Sequence, residues 1–221
     1  MGAEKEPAEN VTDAMVFNLA AEQLNNGSWH VGGIARPPME DGDITRTAIS
    51  IRSLQMYGMP ARKREFDERI ASAKAWLNAA KPRTTEDRNM QILGLQWAGS
   101  DSASLSQMTK DLTGLQRRDG GWAQTRDLAS DAYATGQTLY ALSSAGVPAK
   151  DPAYRRGVAY LLQTQLADGS WRVASRAPKF QPYFQSGFPH DHDQWISSAA
   201  TAWASMALST SLQDGRLAVL K

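Results

Sequence analysis

The chain has no cysteine among its 221 residues. That excludes disulfides, thiolate nucleophiles and cysteine-ligated zinc, and it suits a reducing or an oxidising compartment equally. An excess of charge is also missing, since 24 Lys+Arg face 23 Asp+Glu for a net +1. No basic surplus therefore points to nucleic acid or to anionic lipid. No apolar run is long enough to span a bilayer, and the polar start MGAEKEPAEN lacks the apolar centre of a signal peptide. Met1-Gly2 is nevertheless compatible with a leader that has been replaced, so a cytoplasmic and an exported location both stay open. No segment shows the period-two alternation of a half-buried strand.

What the chain does have is repetition. The pattern Gln-x3-Gly-x-Trp occurs as Gln23–Trp29 (QLNNGSW), Gln116–Trp122 (QRRDGGW) and Gln165–Trp171 (QLADGSW). A second, gapless match sets Asp43–Pro60 on Asp131–Pro148, with Asp87 midway between the two aspartates. Recurrence at such a period signals stacked units that bury their apolar faces only against neighbours. Each unit reads as a helix, a Gln-Gly-Trp turn, an Asp-initiated helix and a Gly stop.

The turn glycines Gly27, Gly120 and Gly169 suit positive φ, and Gly58 and Gly146 suit a left-handed helix end with proline two residues later. Asp43, Asp87 and Asp131 suit helix caps, and Asp151-Pro152 opens a further helix. One helix type carries an apolar stripe, as in Phe66, Ile70, Ala73 and Leu77, and belongs on the outside. The other is small and apolar nearly all round, as in Ala199–Leu208, and belongs inside. The expectation is an all-α fold of about four hairpins, near 12–58, 64–99, 103–146 and 151–210. A flexible N-terminal segment (1–11) and a C-terminal tail (211–221) flank the repeat domain (12–210).

These Gln-x3-Gly-x-Trp turns, followed by Asp-x3-Thr helices, resemble the QW repeats of squalene–hopene cyclases and related prenyltransferase-fold proteins. The resemblance covers about residues 12–210, and Gln181–Leu208 looks like the last repeat of bacterial squalene-cyclase-like proteins of undefined function. It implies an α/α toroid with alternate helices lining an inner ring. Complete rings of this kind use six or so hairpins, so four make an arc, a small closed body or part of a longer protein. It also implies that Gln23, Gly27, Trp29, Gln116, Gly120, Trp122, Gln165, Gly169 and Trp171 clamp outer helices to inner ones.

Class II cyclases protonate an alkene with an acid from Asp-x-Asp-Asp-Thr-Ala. The best match here is Asp43-Ile44-Thr45-Arg46-Thr47-Ala48. Thr45 and Arg46 hold the two acid positions, and an arginine there favours a carboxylate over a neutral acid. No catalytic acid is carried over, and no cofactor is expected. His190 and His192 stand with Asp191 and Asp193 beside Trp195, in an insertion before the last inner helix. That cluster reads as a ligand-contacting loop or as a solvated cap; a metal site is a weaker reading, and none is assigned. Phe180, Tyr183, Phe184, Phe188 and Trp195 line an apolar mouth or simply cover the end of the last hairpin.

If alternate helices share a rim, then Asp43, Arg46, Asp87, Asp131, Tyr133, His190, His192, Asp193 and Trp195 are the candidate ligand-binding residues. The leading expectation is a module that binds an apolar ligand, isoprenoid-like or peptide, without class II protonation. The alternatives are a divergent terpene cyclase or prenyltransferase-type enzyme, completed by a homodimer that closes the ring, and a protein-interaction scaffold.

Overall fold

A computed structural model describes residues 9–213. Of the expected flexible ends (1–11 and 211–221), residues 1–8 and 214–221 lie outside the described residues, whereas α1 already begins at Asn10 and α8 runs to Gln213. The described chain is all-α apart from one short two-stranded ribbon and an isolated bridge between Arg36 and Glu40. Its helices are α1 (Asn10–Ala21), α2 (Asp43–Tyr57), α3 (Lys63–Ala79), α4 (Thr85–Trp97), α5 (Ser102–Thr113), α6 (Ala132–Ser144), α7 (Pro152–Thr164) and α8 (Gln194–Gln213). The ribbon pairs β1 (Trp122–Ala123) antiparallel with β2 (Ser130–Asp131). The even-numbered helices pack in series, α2 on α4, α4 on α6 and α6 on α8, with the odd-numbered helices laid against them. None of the described helices is long and apolar enough to cross a membrane.

The three Gln-Gly-Trp turns are built from one set of bonds. Gly27, Gly120 and Gly169 have φ of 93°, 88° and 84°, a region that only glycine enters without strain. The glutamine amide donates back to that glycine's carbonyl, from Gln23 at 2.9 Å, Gln116 at 2.8 Å and Gln165 at 2.9 Å. Trp29, Trp122 and Trp171 are fully buried. Their indole N–H groups donate to Leu19, Leu112 and Leu161, each ten residues earlier in the outer helix. Their backbone N–H groups donate to Thr47, Thr135 and Thr201 in the inner helix that follows. Each tryptophan thus bonds both layers while its ring fills the space between them.

The second unit lacks this turn and solves the same problem differently. Gln91 stands where Thr47 and Thr135 stand in their units. Its amide donates to Leu77 and Ala80, at 2.6 and 3.0 Å, and ties α4 to the end of α3. Helices α4 and α6 are buried along most of their length, as expected for inner helices. Helix α8 departs from that expectation, because Trp195, Ala202 and Met206 form an open stripe along it.

Two local expectations need correction. Gly146 has φ of 87°, but Gly58 leaves α2 at φ −58° and ψ 127°. Met59 is extended and Pro60–Arg62 form a 3₁₀ turn that leads straight into α3. The proline alone does not decide this, because Gly146 is left-handed with Pro148 at the same spacing. Gly58 is required by crowding instead, since a Cβ there would press on the Leu54 carbonyl and the Phe66 ring. The aspartates are also not uniform caps. Asp131 caps α6 by accepting from Ala134. Thr84 caps α4 with Asp87 as the reciprocal partner in a capping box. Asp43 is the first helical residue after Gly42.

The crowding at these turns makes a direct prediction. A Cβ on Gly120 would lie 2.6 Å from the Arg156 carbonyl, whereas on Gly169 its nearest neighbour is 3.9 Å away. Gly169→Ala should cost about 1–2 kcal/mol through positive φ alone. Gly120→Ala should cost clearly more, because helix α7 must shift as well. Urea unfolding midpoints of the two variants check the difference.

Candidate functional site

The loops that connect each Gln-Gly-Trp turn to its inner helix gather where the inner helices begin. In the first unit Asp43 accepts from the Val31 backbone at 3.0 Å and pairs with His30. In the third, Gln124 donates to Asp131 at 2.9 Å. In the fourth, Ser197 accepts from the Val173 backbone at 3.0 Å. Val31, Gln124 and Val173 each follow their tryptophan by two residues, so Ser197 is the repeat equivalent of Asp43 and Asp131. Asp193 stands one helical turn earlier.

Neighbouring loops are cross-linked. Thr85 of α4 bonds Ala123 and Gln124, and Arg176 donates to Gln124 at 2.8 Å. The Arg36 guanidinium of the first unit lies 5.1 Å from the Phe180 ring of the fourth, a cation–π contact.

Three recesses open on this rim, of which the third, a shallow one of about 480 Å³, brings together Arg172, His190, Asp191, His192 and Asp193. The first, of about 420 Å³, lies between α2 and α4 and brings together Asp43, Asp87, His30, Arg83 and Trp76. Both carboxylates are already committed there, Asp43 to Val31 and Asp87 to the Arg83 and Thr84 N–H groups at 2.8 and 3.1 Å.

The second, of about 470 Å³, runs between the first-unit loop and the fourth-unit loop. Met39 and Pro37 face Phe180, Tyr183, Phe184 and Trp195 across it. Phe184 and Trp195 stack with centroids 6.5 Å apart, and Tyr183 meets the His192 ring at 4.7 Å. These are exposed rings, Phe184 at 69% and Trp195 at 57%. Clustered apolar exposure on this scale marks contact surfaces more often than chance. The loop that presents them is pinned by Gln194, whose buried amide accepts from Ser186 at 2.6 Å and donates to Phe184 at 2.9 Å.

Beneath the rim sits a buried polar cluster. The Glu86 carboxyl accepts from Tyr133 at 2.9 Å and from Thr45 at 3.3 Å. Asn89 bonds Gln137 at 2.8 Å, and Thr138 bonds Asn89 at 3.2 Å. Burial pushes the Glu86 pKa up to about 7, against the opposing bonds from Gln137, Tyr133 and Thr45. Burial also holds the Tyr133 phenol well above its usual range, and the Glu86 charge adds to that. Glu86 lines none of the recesses.

The structure divides the nine sequence-derived candidates. Asp43 and Asp87 share the first recess, while His192 and Trp195 share the aromatic groove. Tyr133 belongs to the buried cluster. Asp131 is a cap whose pKa burial raises, against the Ala134 N–H and Gln124 bonds. Arg46 is at the surface, paired with Glu22 at 3.3 Å.

His190 and Asp193 act as loop clamps. The Ser170 hydroxyl donates to Asp168 at 2.7 Å, so it accepts from His190 at 2.8 Å, which puts the ring proton on Nε2. Burial raises the Asp193 pKa, but the Ser175 N–H and Arg172 outweigh it, and the net shift is downward. Among the described residues no group of three or more His, Asp or Glu is placed to hold a metal ion. Three participants escaped the sequence reading: Glu86, Arg36 and Met39. Glu86 directly precedes Asp87, and a charged residue at that place on an inner helix was the available signal. Arg36 and Met39 carried none, because only the folded loop brings them to the groove.

No protein-family model matches the chain. No curated protein is significantly similar to it in sequence.

The buried carboxyl dictates a pH dependence. Because the folded pKa of Glu86 is raised from 4.5 to about 7, the native state holds a proton that the unfolded state releases between those values. Its contribution to stability is most favourable below pH 4.5, falls as pH rises to 7, and stays low above. The difference amounts to about 3 kcal/mol. Glu86→Gln should abolish this slope, leaving the variant more stable than the parent at pH 8 and little changed at pH 4.5. Denaturant titrations at the two pH values check the sign.

Proposed function

We propose that the chain is a squalene-cyclase-like repeat module whose aromatic groove binds an apolar ligand, isoprenoid-like or peptide, without protonating it. The observation that carries this reading is the groove of exposed rings, held open by buried Gln194 and bordered by Arg36, Glu40 and Lys179. Mostly apolar lining with a few polar groups is what ligand recesses present. The hairpins make a small α/α ring or arc in this proposal. The Arg36–Phe180 contact supports it, because loops from the first and last units meet on the rim.

The absence of class II chemistry is inferred from the residues at the acid positions. Thr45 is buried and donates to Glu86, and Arg46 pairs with Glu22. Glu86 keeps its proton in part near neutrality, but Tyr133 and Thr45 enclose it and it lines none of the recesses. A substrate alkene has no route to that proton.

Fluorescence titration tests the reading, with farnesol or geranylgeraniol in one arm and a proline- and aromatic-rich peptide in the other. Saturable quenching is expected in one arm. The Trp195→Ala/Phe184→Ala double variant should weaken it about tenfold or more, with little change in stability because both rings are exposed. Saturation in neither arm, or saturation that the double variant leaves intact, would overturn it.

A further inference from the structure

Two of the three Gln-Gly-Trp turns grip the next outer helix. Gln23 donates to the Arg69 carbonyl of α3 at 2.9 Å, and Gln116 donates to the Ala153 carbonyl of α7 at 2.7 Å. Their glycines lie so close to those helices that a Cβ would come within 2.5 Å of the Ser72 carbonyl or 2.6 Å of the Arg156 carbonyl. The third turn has the same internal bonds and the same positive φ. Yet the Gln165 amide donates only within its own turn, and a Cβ on Gly169 would meet nothing closer than 3.9 Å. Gly27 and Gly120 are buried, whereas residues 162–169 are exposed throughout.

The inner layer repeats this contrast. Ala48 is covered by Gly94 and Gly136 by Ala204, while Ala202, the equivalent in α8, is exposed.

The opposite end of the molecule has the matching vacancy. The shared tryptophan bonds equate Leu19 of α1 with Leu161 of α7, and so Val11 with Ala153 and Met15 with Gly157. In α7 these positions are buried beneath the preceding unit. In α1, Val11 is 68% exposed and Met15 63% exposed.

From this complementarity we infer that the chain associates head to tail with a second copy of itself, α1 of one seating on the Gln165–Trp171 turn and α8 of the other. The Gln165 amide would donate to the Val11 carbonyl, as Gln116 does to Ala153, and Gly169 would pass against Ala14, as Gly120 passes Arg156. Such an interface is heterologous: each copy uses different surfaces, so growth continues to a ring or a filament.

Sedimentation equilibrium of the full chain over a concentration series up to millimolar tests this. The parent should show mass increasing with concentration. Met15→Asp disables the head and Gly169→Asn disables the tail, and each should weaken association about tenfold or more. Asparagine tolerates positive φ and Met15 is exposed, so both should fold; circular dichroism verifies this, with Val11→Asp as the substitute head variant. An equimolar mixture of a head and a tail variant retains one good interface, so it should form a two-chain complex that grows no further. A parent that stays monomeric throughout, variants that associate like the parent, or a mixture that fails to pair would each overturn the inference.

Discussion

Three of the four helical units hang on an indole that bonds two helical layers at once. Each ring donates from Nε1 to an outer-helix carbonyl, while its backbone N–H reaches a threonine of the inner helix. Burying a tryptophan removes about 200 Å² from water, worth about 5 kcal/mol as an upper figure. The same burial would be costly if the N–H were left unpaired, and the leucine carbonyls at the helix ends need donors of their own. One side chain therefore relieves two polar debts while filling the gap between layers. Glycine at positive φ is what lets the chain reverse tightly enough to put the ring there.

Because the wedge fixes the layers, the ends of the inner helices are free to vary. The loop between wedge and helix is a tight ribbon in the third unit, and a long aromatic segment in the fourth. The residue two after each tryptophan is anchored to the same place on the inner helix by different chemistry: a backbone N–H to a carboxylate at Asp43, a side-chain amide to a carboxylate at Asp131, and a backbone N–H to a hydroxyl at Ser197. A rim assembled in this way can carry different side chains without disturbing the core beneath it. Hence the exposed rings gather on the longest loop.

The helical pairs and their turns were legible because they rest on local rules. Positive φ at Gly120, the cap at Asp151 and the stripe of α3 all follow from bonds within a few residues. Asp193 was less legible, because an inserted loop shifts the frame, and the repeat position passed to Ser197 where no aspartate marks it. Gly58 misled for a related reason. The need for glycine there comes from the Leu54 carbonyl of its own helix and from the Phe66 ring of the next one, not from a left-handed turn. Glu86 was invisible as a buried group, since only the meeting of α2, α4 and α6 removes it from water.

The buried cluster is the polar part of the seam where α2, α4 and α6 pack together. Thr45, Glu86, Tyr133, Asn89, Gln137 and Thr138 place polar groups where apolar side chains would pack more favourably on burial alone. Polar networks in cores tend to fix one arrangement of helices over its near neighbours. Slipping α4 by one residue against α6 would part Asn89 from Gln137 and Glu86 from Tyr133 together. Apolar ridges of alanine and leucine would resist such a slip only weakly. In a stack of similar units, where several registers bury comparable apolar area, that discrimination matters more than the stability given up for it.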